Sequence, residues 1–386
     1  MFFSRLLFQK FARNLKVQNT SMVRIDAGRI PLKVIPINIY DYKNGDHCII
    51  EGDTFEEHDE KPKINNNLHH SNHLQTDLDT AMIKIDGKDY LYDNVKELKV
   101  HVPIFSTILT VNAEDCGQKI QVQDLEPTKL KIYVGKNKIE KWESRIDETQ
   151  VVEGQSHQYS PDYQQQKYKN SSQSKQVKLT PPDQITEVTL SNIKALRSIQ
   201  VKSTKHPVKL ITNRSLQTMR LTTVFGHLDS SIDFNGAVRC KILDVEAGKI
   251  TSKKSLMLKQ GVVMSTSGDI DLKTVSASSV LGVTSKQSLL IREVEGSGVP
   301  SGSEEVNNLG GEISLNANKY MDVWIAPTCN NKVNISNVFG VTDLYVADKL
   351  RGNLKLDLSI DSFMKTRAQI LSDSNLNLVK DDILNH

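Results

Sequence analysis

Two carboxylates, Asp269 and Asp271, stand at i and i+2 in this chain of 386 residues. On a strand that spacing puts both on one face. Paired acids on the outer face of a stacked sheet are how polysaccharide hydrolases and lyases perform acid–base chemistry. Such a site needs further acids or bases on the neighbouring repeats. One repeat earlier the equivalent residues are Lys249 and Thr251, and two repeats later they are Glu312 and Ser314. The sequence therefore predicts solvated carboxylates and no stacked acid ladder.

Other candidate chemistry is thinner. His58, His69, His70 and His73 lie close together, but INNNLHHSNHL offers no stable helix, and metal ligands need fixed geometry. Weak adventitious metal binding is the most it implies. Cys48, Cys116, Cys240 and Cys329 are far apart with no C-x-x-C. That spacing excludes a zinc ribbon and a disulfide framework and predicts free buried thiols. No G-x-S-x-G, H-E-x-x-H, G-x-x-x-x-G-K-[ST] or G-x-G-x-x-G occurs. Gly296-Ser-Gly298 sits in a polar loop without the strand–helix context of a phosphate site. The N-x-[ST] triplets at Asn19, Asn170, Asn213 and Asn334 are chance matches unless the chain is secreted. The expectation is no catalytic, cofactor-binding or metal site, no cofactor, and no enzymatic activity.

Charge and composition narrow the partners. Lys plus Arg is 49 and Asp plus Glu is 46, too balanced for nucleic-acid binding by bulk charge. Aromatic residues are 6%, too few for a base-stacking platform. No run approaches 18 apolar residues, so no integral membrane span is expected. Residues 1–25 contain Arg5, Lys10, Arg13, Lys16 and Arg24, and the first acid is Asp26. On a helical wheel Phe3, Leu7, Phe8, Phe11 and Leu15 share one face. An Arg-rich, acid-free amphipathic start matches a mitochondrial transit peptide. A basic first helix or a surface membrane helix is the alternative. Removing residues 1–25 leaves 44 basic residues against 46 acids.

The elements that would position any site are short strands. Residues 51–80 and 143–184 are rich in Gln, Asn, Ser and charge and cannot offset their ordering entropy by burial. Residues 295–308 form a smaller Gly/Ser insert. Between them runs period-two alternation: Leu98-Lys-Val100, Ile120-Gln-Val122, Leu130-Lys-Ile132, Val188-Thr-Leu190, Ile199-Gln-Val201, Val208-Lys-Leu210. One set faces a core and the other faces water.

The C-terminal half repeats. Gly248-Lys-Ile-Thr-Ser, Gly268-Asp-Ile-Asp-Leu, Ser288-Leu-Leu-Ile, Gly311-Glu-Ile-Ser-Leu, Lys332-Val-Asn-Ile, Gly352-Asn-Leu-Lys-Leu and Asn375-Leu-Asn-Leu align. Their apolar centres, Ile250, Ile270, Leu289, Ile313, Val333, Leu354 and Leu376, are 20, 19, 24, 20, 21 and 22 residues apart. Second strands fall between them at Leu256-Met-Leu258, Val280-Leu-Gly-Val283, Val323-Trp-Ile325 and Leu344-Tyr-Val346. A period near 20 with two strands predicts an all-β, right-handed, single-stranded parallel β-solenoid, because one coil cannot bury its apolar face alone. An antiparallel sandwich is the competing architecture, weakened by the lack of Asn-Gly and Asp-Gly pairs after residue 248.

The coils, with Ser267-Gly268-Asp269-Ile270-Asp271-Leu272 the clearest, resemble the bacterial putative-adhesin β-helix family and its uncharacterised, mitochondrial-looking eukaryotic relatives. The resemblance covers about residues 186–380, and 30–140 more loosely. It implies a right-handed β-solenoid without established enzymatic activity. The expected organisation is a transit peptide over 1–25, a β-rich region over 30–142 with its insert at 51–80, a disordered Gln/Ser-rich insert over 143–184, and a solenoid over 185–380. The expected role is a non-enzymatic mitochondrial scaffold or accessory subunit, in the matrix or on the matrix face of the inner membrane, with protein partners in a large complex. A carbohydrate-active β-helix enzyme and a self-polymerising filament are the alternatives.

Overall fold

The computed structural model describes residues 10–16, 22–28, 31–37, 47–54, 82–86, 95–113, 117–135, 185–203, 207–226, 229–296, 310–329, 331–337, 340–347, 353–355, 368–371 and 377–379. Twenty-five strands and no helix lie within them. In order they are β1 (Lys10–Lys16), β2 (Met22–Gly28), β3 (Leu32–Pro36), β4 (His47–Thr54), β5 (Met82–Asp86), β6 (Val95–Val102), β7 (Ile108–Ala113), β8 (Lys119–Gln123) and β9 (Lys129–Val134). Then come β10 (Thr186–Ala195), β11 (Ser198–Ser203), β12 (Val208–Phe225), β13 (Ser231–Phe234), β14 (Ala237–Ala247), β15 (Lys249–Ser265), β16 (Ile270–Ala277), β17 (Leu281–Thr284) and β18 (Ser288–Glu295). The last are β19 (Gly310–Ala317), β20 (Tyr320–Ile325), β21 (Asn331–Asn337), β22 (Val341–Val346), β23 (Asn353–Lys355), β24 (Ala368–Leu371) and β25 (Asn377–Val379). They are strands because Ile, Val, Leu and Thr alternate with Lys, Gln and Asn, a pattern that fits a half-buried pleat.

The pairing is overwhelmingly parallel. One ladder joins β7, β9, β11, β12, β14, β15, β17, β19 and β21, so that Val111, Ile132, Val201, Val224, Val245, Val263, Val283, Leu315 and Ile335 lie in one column. A second joins β8, β10, β12, β13, β15, β16, β18, β20 and β22, with Ile120, Val188, Leu210, Ile232, Ile250, Ile270, Leu289 and Met321 in line. A third column stacks Ile193, Leu216, Val238, Leu256, Val275, Val294 and Ile325. Nearly all these side chains are buried in one continuous core. Burial of each contributes roughly 1.5–3 kcal/mol. Two strands per repeat are expected from the spacing, so a third column is an addition, although its Leu256 and Ile325 fall in strands expected between the repeat centres.

Both ladders cross the 143–184 gap without a break, because β8 pairs with β10 and β9 with β11. Residues 136–184 lie outside the described set, as do 55–81. Strand β4 occupies the first four residues, 51–54, of the segment expected to be a polar insert. The 295–308 insert lengthens its step: Ile291 lies opposite Val323, 32 residues on, where Leu272 and Ile291 are separated by 19.

That insert also corrects the repeat alignment. Ile250, Ile270 and Leu289 belong to the second ladder, whereas Ile313 and Val333 belong to the first. The partner of Leu289 is Met321, in a strand that had counted as a midpoint. The two faces share the motif Gly-x-Ile-x-Leu, so sequence spacing alone slid from one to the other.

The N-terminal end departs from simple stacking. Strands β5 and β6 lie on one side of β2 and β3, while β7 and β8 lie on the other. Beyond β6 the sheet turns antiparallel, with β4 on β6 and β1 on β4. Residues 10–16 and 22–28 are therefore strands and not the amphipathic helix expected of a transit peptide. The boundary at residue 25 falls inside β2, where Val23 and Ile25 are buried.

Corners are built from side chains as well as glycine. Asp124, Asn192 and Arg214 have φ of 55°, 53° and 61°, a left-handed conformation that Asn and Asp tolerate best. Asn192 and Arg214 fall at register breaks in β10 and β12. Asn192 Nδ2 donates to Asp124 Oδ1 at 2.9 Å, Ser215 Oγ to Asn192 Oδ1 at 3.3 Å, and Arg214 Nη1 lies 3.8 Å from Asp124 Oδ1. This polar column offsets the strain by hydrogen bonding between rungs.

Candidate functional site

The outward column of the second ladder carries Asp233, Thr251, Asp271, Leu290, Asp322 and Asp343 on successive rungs. Thr251 is the neighbour of Asp271, as the sequence suggested. Glu312 and Ser314 are on the first ladder and do not approach it. The correct continuation is Asp322 beside Asp343, so two acids do stack. They had been missed because the alignment changed face at the insert.

Asp269 and Asp271 themselves do not form a site. Asp269 Oδ1 accepts the Ser288 backbone N–H at 3.0 Å, at a corner where the buried hydroxyls of Ser265 and Ser285 hydrogen-bond the Gly268 carbonyl. Its role there is to hold the turn. Asp271 sits between Thr251 and Leu290. The four histidines and Cys116 lie outside the described residues, and Cys48 is in β4. Cys240 and Cys329 are free and buried. Burial, only partly countered by a hydrogen bond with Thr222, pushes the Cys240 thiol up to about 12, so it is not a nucleophile at neutral pH. Among the described residues no three His, Cys, Asp or Glu side chains gather where they could hold a metal ion.

A concavity of about 450 Å³ opens on the outer face of β18, β20 and β22, lined by Leu290, Ile291, Arg292, Asp322, Trp324 and Tyr345. Strand alternation sets the face. Met321, Val323 and Ile325 point inward, which turns Tyr320, Asp322 and Trp324 outward. One rung on, Leu344 and Val346 are buried, and Val341, Asp343 and Tyr345 face out. Trp324 lies opposite Tyr345 and Asp322 opposite Asp343, on rungs about 4.8 Å apart. Trp324 is 42% exposed and Tyr345 37%. Large aromatics open to solvent side by side mark a contact surface more often than chance placement does.

The electrostatics are uneven. Loss of solvent raises the Asp322 pKa first, the Asp343 charge raises it further, and Arg292 pulls it back. Asp322 makes no hydrogen bond or ion pair with a described residue, whereas Asp343 Oδ2 accepts the Tyr320 hydroxyl at 3.0 Å. Desolvation, that hydrogen bond and the neighbouring carboxylates push the Tyr320 phenol up to about 12. Two carboxylates converge here. The next acid in the column, Asp271, is a rung further off behind Leu290. The signal for this site was present in the sequence, since Val323-Trp-Ile325 and Leu344-Tyr-Val346 place an aromatic at the outward position 21 residues apart. No helix among the described residues is long and apolar enough to cross a membrane. No family model, no curated protein and no solved structure matches this chain.

Proposed function

We propose that the chain is a right-handed, single-stranded parallel β-solenoid that serves mitochondria as a non-enzymatic scaffold or accessory subunit through protein contacts. Handedness follows from the crossover preference of parallel strands. The likeness of its coils to putative-adhesin β-helices supports the same winding. The Arg-rich, acid-free start supports the address. The observation that carries the role is the outer face of β18, β20 and β22, where Trp324, Tyr345 and Val341 are exposed on a parallel sheet. A regular face with a solvent-exposed aromatic centre is suited to a protein surface.

A carbohydrate-active enzyme is the second reading. Asp322 and Asp343 beside Trp324 favour it, and it would need a further acid or base within reach of them.

The deciding experiment is native electrophoresis of isolated mitochondria together with N-terminal sequencing of the mature chain. The expected result is migration in a complex well above the 43.3 kDa of the chain and a mature N-terminus before Met22, which keeps Val23 and Ile25 in the core. A free monomer outside mitochondria would overturn the role and the address. A mature chain starting beyond Ile25 would mean that β2 is dispensable.

A further inference from the structure

We infer that the paired strands β23 and β25 dock along the free edge of β21, with β23 parallel to it and Leu354 over Val333, as an end cap formed by the chain itself. Among the described residues the first ladder stops at β21, which pairs with β19 alone. The second ladder goes one rung further, because β22 pairs with β24 and Leu344 lies opposite Ile370. Strands β23 and β25 form a separate parallel pair, with Leu354 opposite Leu378. Chain order says where they belong. Successive strands alternate between the ladders, with β18, β20 and β22 in the second and β17, β19 and β21 in the first. Strand β23 falls between β22 and β24, both in the second ladder, so its place in the winding is on β21. Spacing gives the register: Leu354 follows Val333 by 21 residues, where Val333 follows its partner Ile313 by 20. Leu354-Lys-Leu356 then repeats Val333-Asn-Ile335 position for position. A slip of one residue would turn the leucines outward.

The edge has the marks of a missing rung. Ile313 and Leu315 are fully buried on β19, whereas Val333 and Ile335, opposite them on β21, are only partly buried. In stacked coils each inward side chain is covered by the rungs on both sides, so the outermost rung shows apolar surface until another is laid on it. The Asn331 and Asn337 Oδ1 atoms, at the two ends of β21, are buried and accept no hydrogen bond from a described residue. A further strand brings backbone N–H donors to that edge. An uncovered edge is also a template for strand addition by a second copy. The chain's own strand has the advantage there. Residues 347–352 tie β23 to β22, and residues 356–367 tie it to β24, at the same end of the stack. Such short tethers hold β23 at an effective concentration on the order of millimolar, while a second copy must arrive from bulk solution.

The test is disulfide trapping in the full chain, read by non-reducing electrophoresis and peptide mass mapping. The register puts Lys355 beside Asn334, within the Cα separation of about 4.4–6.8 Å that a disulfide needs, and Asn353 beyond it. Asn334→Cys/Lys355→Cys is expected to cross-link within one molecule under mild oxidation. Asn334→Cys/Asn353→Cys is expected not to. Hydrogen exchange is the second measurement. Leu354→Asp sets a carboxylate over Val333, so it should lift the cap and speed exchange of the β21 amides about tenfold or more. Lys209→Ala, on the outer face of β12, should exchange at β21 as the unaltered chain does. Unchanged far-UV circular dichroism is the control for folding, and if Leu354→Asp loses its signal the trapping pair alone decides. No cross-link at Lys355, a cross-link at Asn353 in its place, linkage between molecules instead of within one, or unchanged β21 exchange in a folded Leu354→Asp chain would each overturn the inference.

Discussion

Phe234→Ala is expected to lower the unfolding free energy by about 3–5 kcal/mol, the range for emptying a buried aromatic site. Phe234 is fully buried and the largest such side chain among the described residues. Its rung neighbours are Thr212 and Ser252. The second ladder thus fits one large ring by placing two small residues above and below it. Alanine would leave a void flanked by two hydroxyls, and the Thr212 hydroxyl already has no hydrogen-bond partner. Collapse cannot fill the gap, because the neighbouring rungs are fixed by the parallel ladder. Urea unfolding followed by circular dichroism measures the loss. A change below about 1 kcal/mol would mean that this position packs loosely.

The second large effect is at a corner. A Cβ on Gly236 would lie 1.3 Å from the Arg214 carbonyl oxygen. That atom is backbone, so no rotamer change relieves the clash. The same corner is pinned by the Asn235 and Gly236 backbone N–H groups, which both donate to the Thr212 carbonyl, at 2.9 and 3.0 Å. Gly236→Ala should cost more than about 2 kcal/mol, since the corner must open to admit it. Gly282→Ala is the matched comparison, because a Cβ there meets nothing within 4 Å. It should be neutral or stabilise by up to about 1 kcal/mol through the unfolded chain. Equal effects of the two substitutions would contradict the close stacking of successive rungs.

The strand interiors were readable from residue types alone. Leu98 and Val100, Ile120 and Val122, Leu130 and Ile132, Val188 and Leu190, and Ile199 and Val201 are all buried, as period-two alternation requires. The parallel stacking was readable too, because the 20-residue spacing of Ile250 and Ile270 is a true rung spacing. What escaped was phase. The Gly311 repeat looks like the Gly268 repeat, yet it lies on another face, since both faces bury Ile and Leu at the same two positions. The corners at Asp124, Asn192 and Arg214 were also hidden. Glycine is the residue that takes left-handed backbone most readily, and here inter-rung hydrogen bonds let other residues take its place. The aromatic face followed the phase error. Once β20 and β22 are set in the second ladder, Asp322 and Asp343 become neighbours and the cleft appears.

Parallel, in-register stacking across the long 136–184 segment is the relation on which the core, the corners and the cleft all depend. Disulfide trapping between β8 and β10 tests it. Lys119 lies opposite Glu187, and Gln123 opposite Ser191. Parallel neighbours are within the Cα separation of about 4.4–6.8 Å that a disulfide requires. Under mild oxidation, the Lys119→Cys/Glu187→Cys chain should form a cross-link identified by peptide mass mapping. Lys119→Cys/Ser191→Cys should not. If the second pair links and the first does not, the strands run antiparallel and the stacked architecture is wrong.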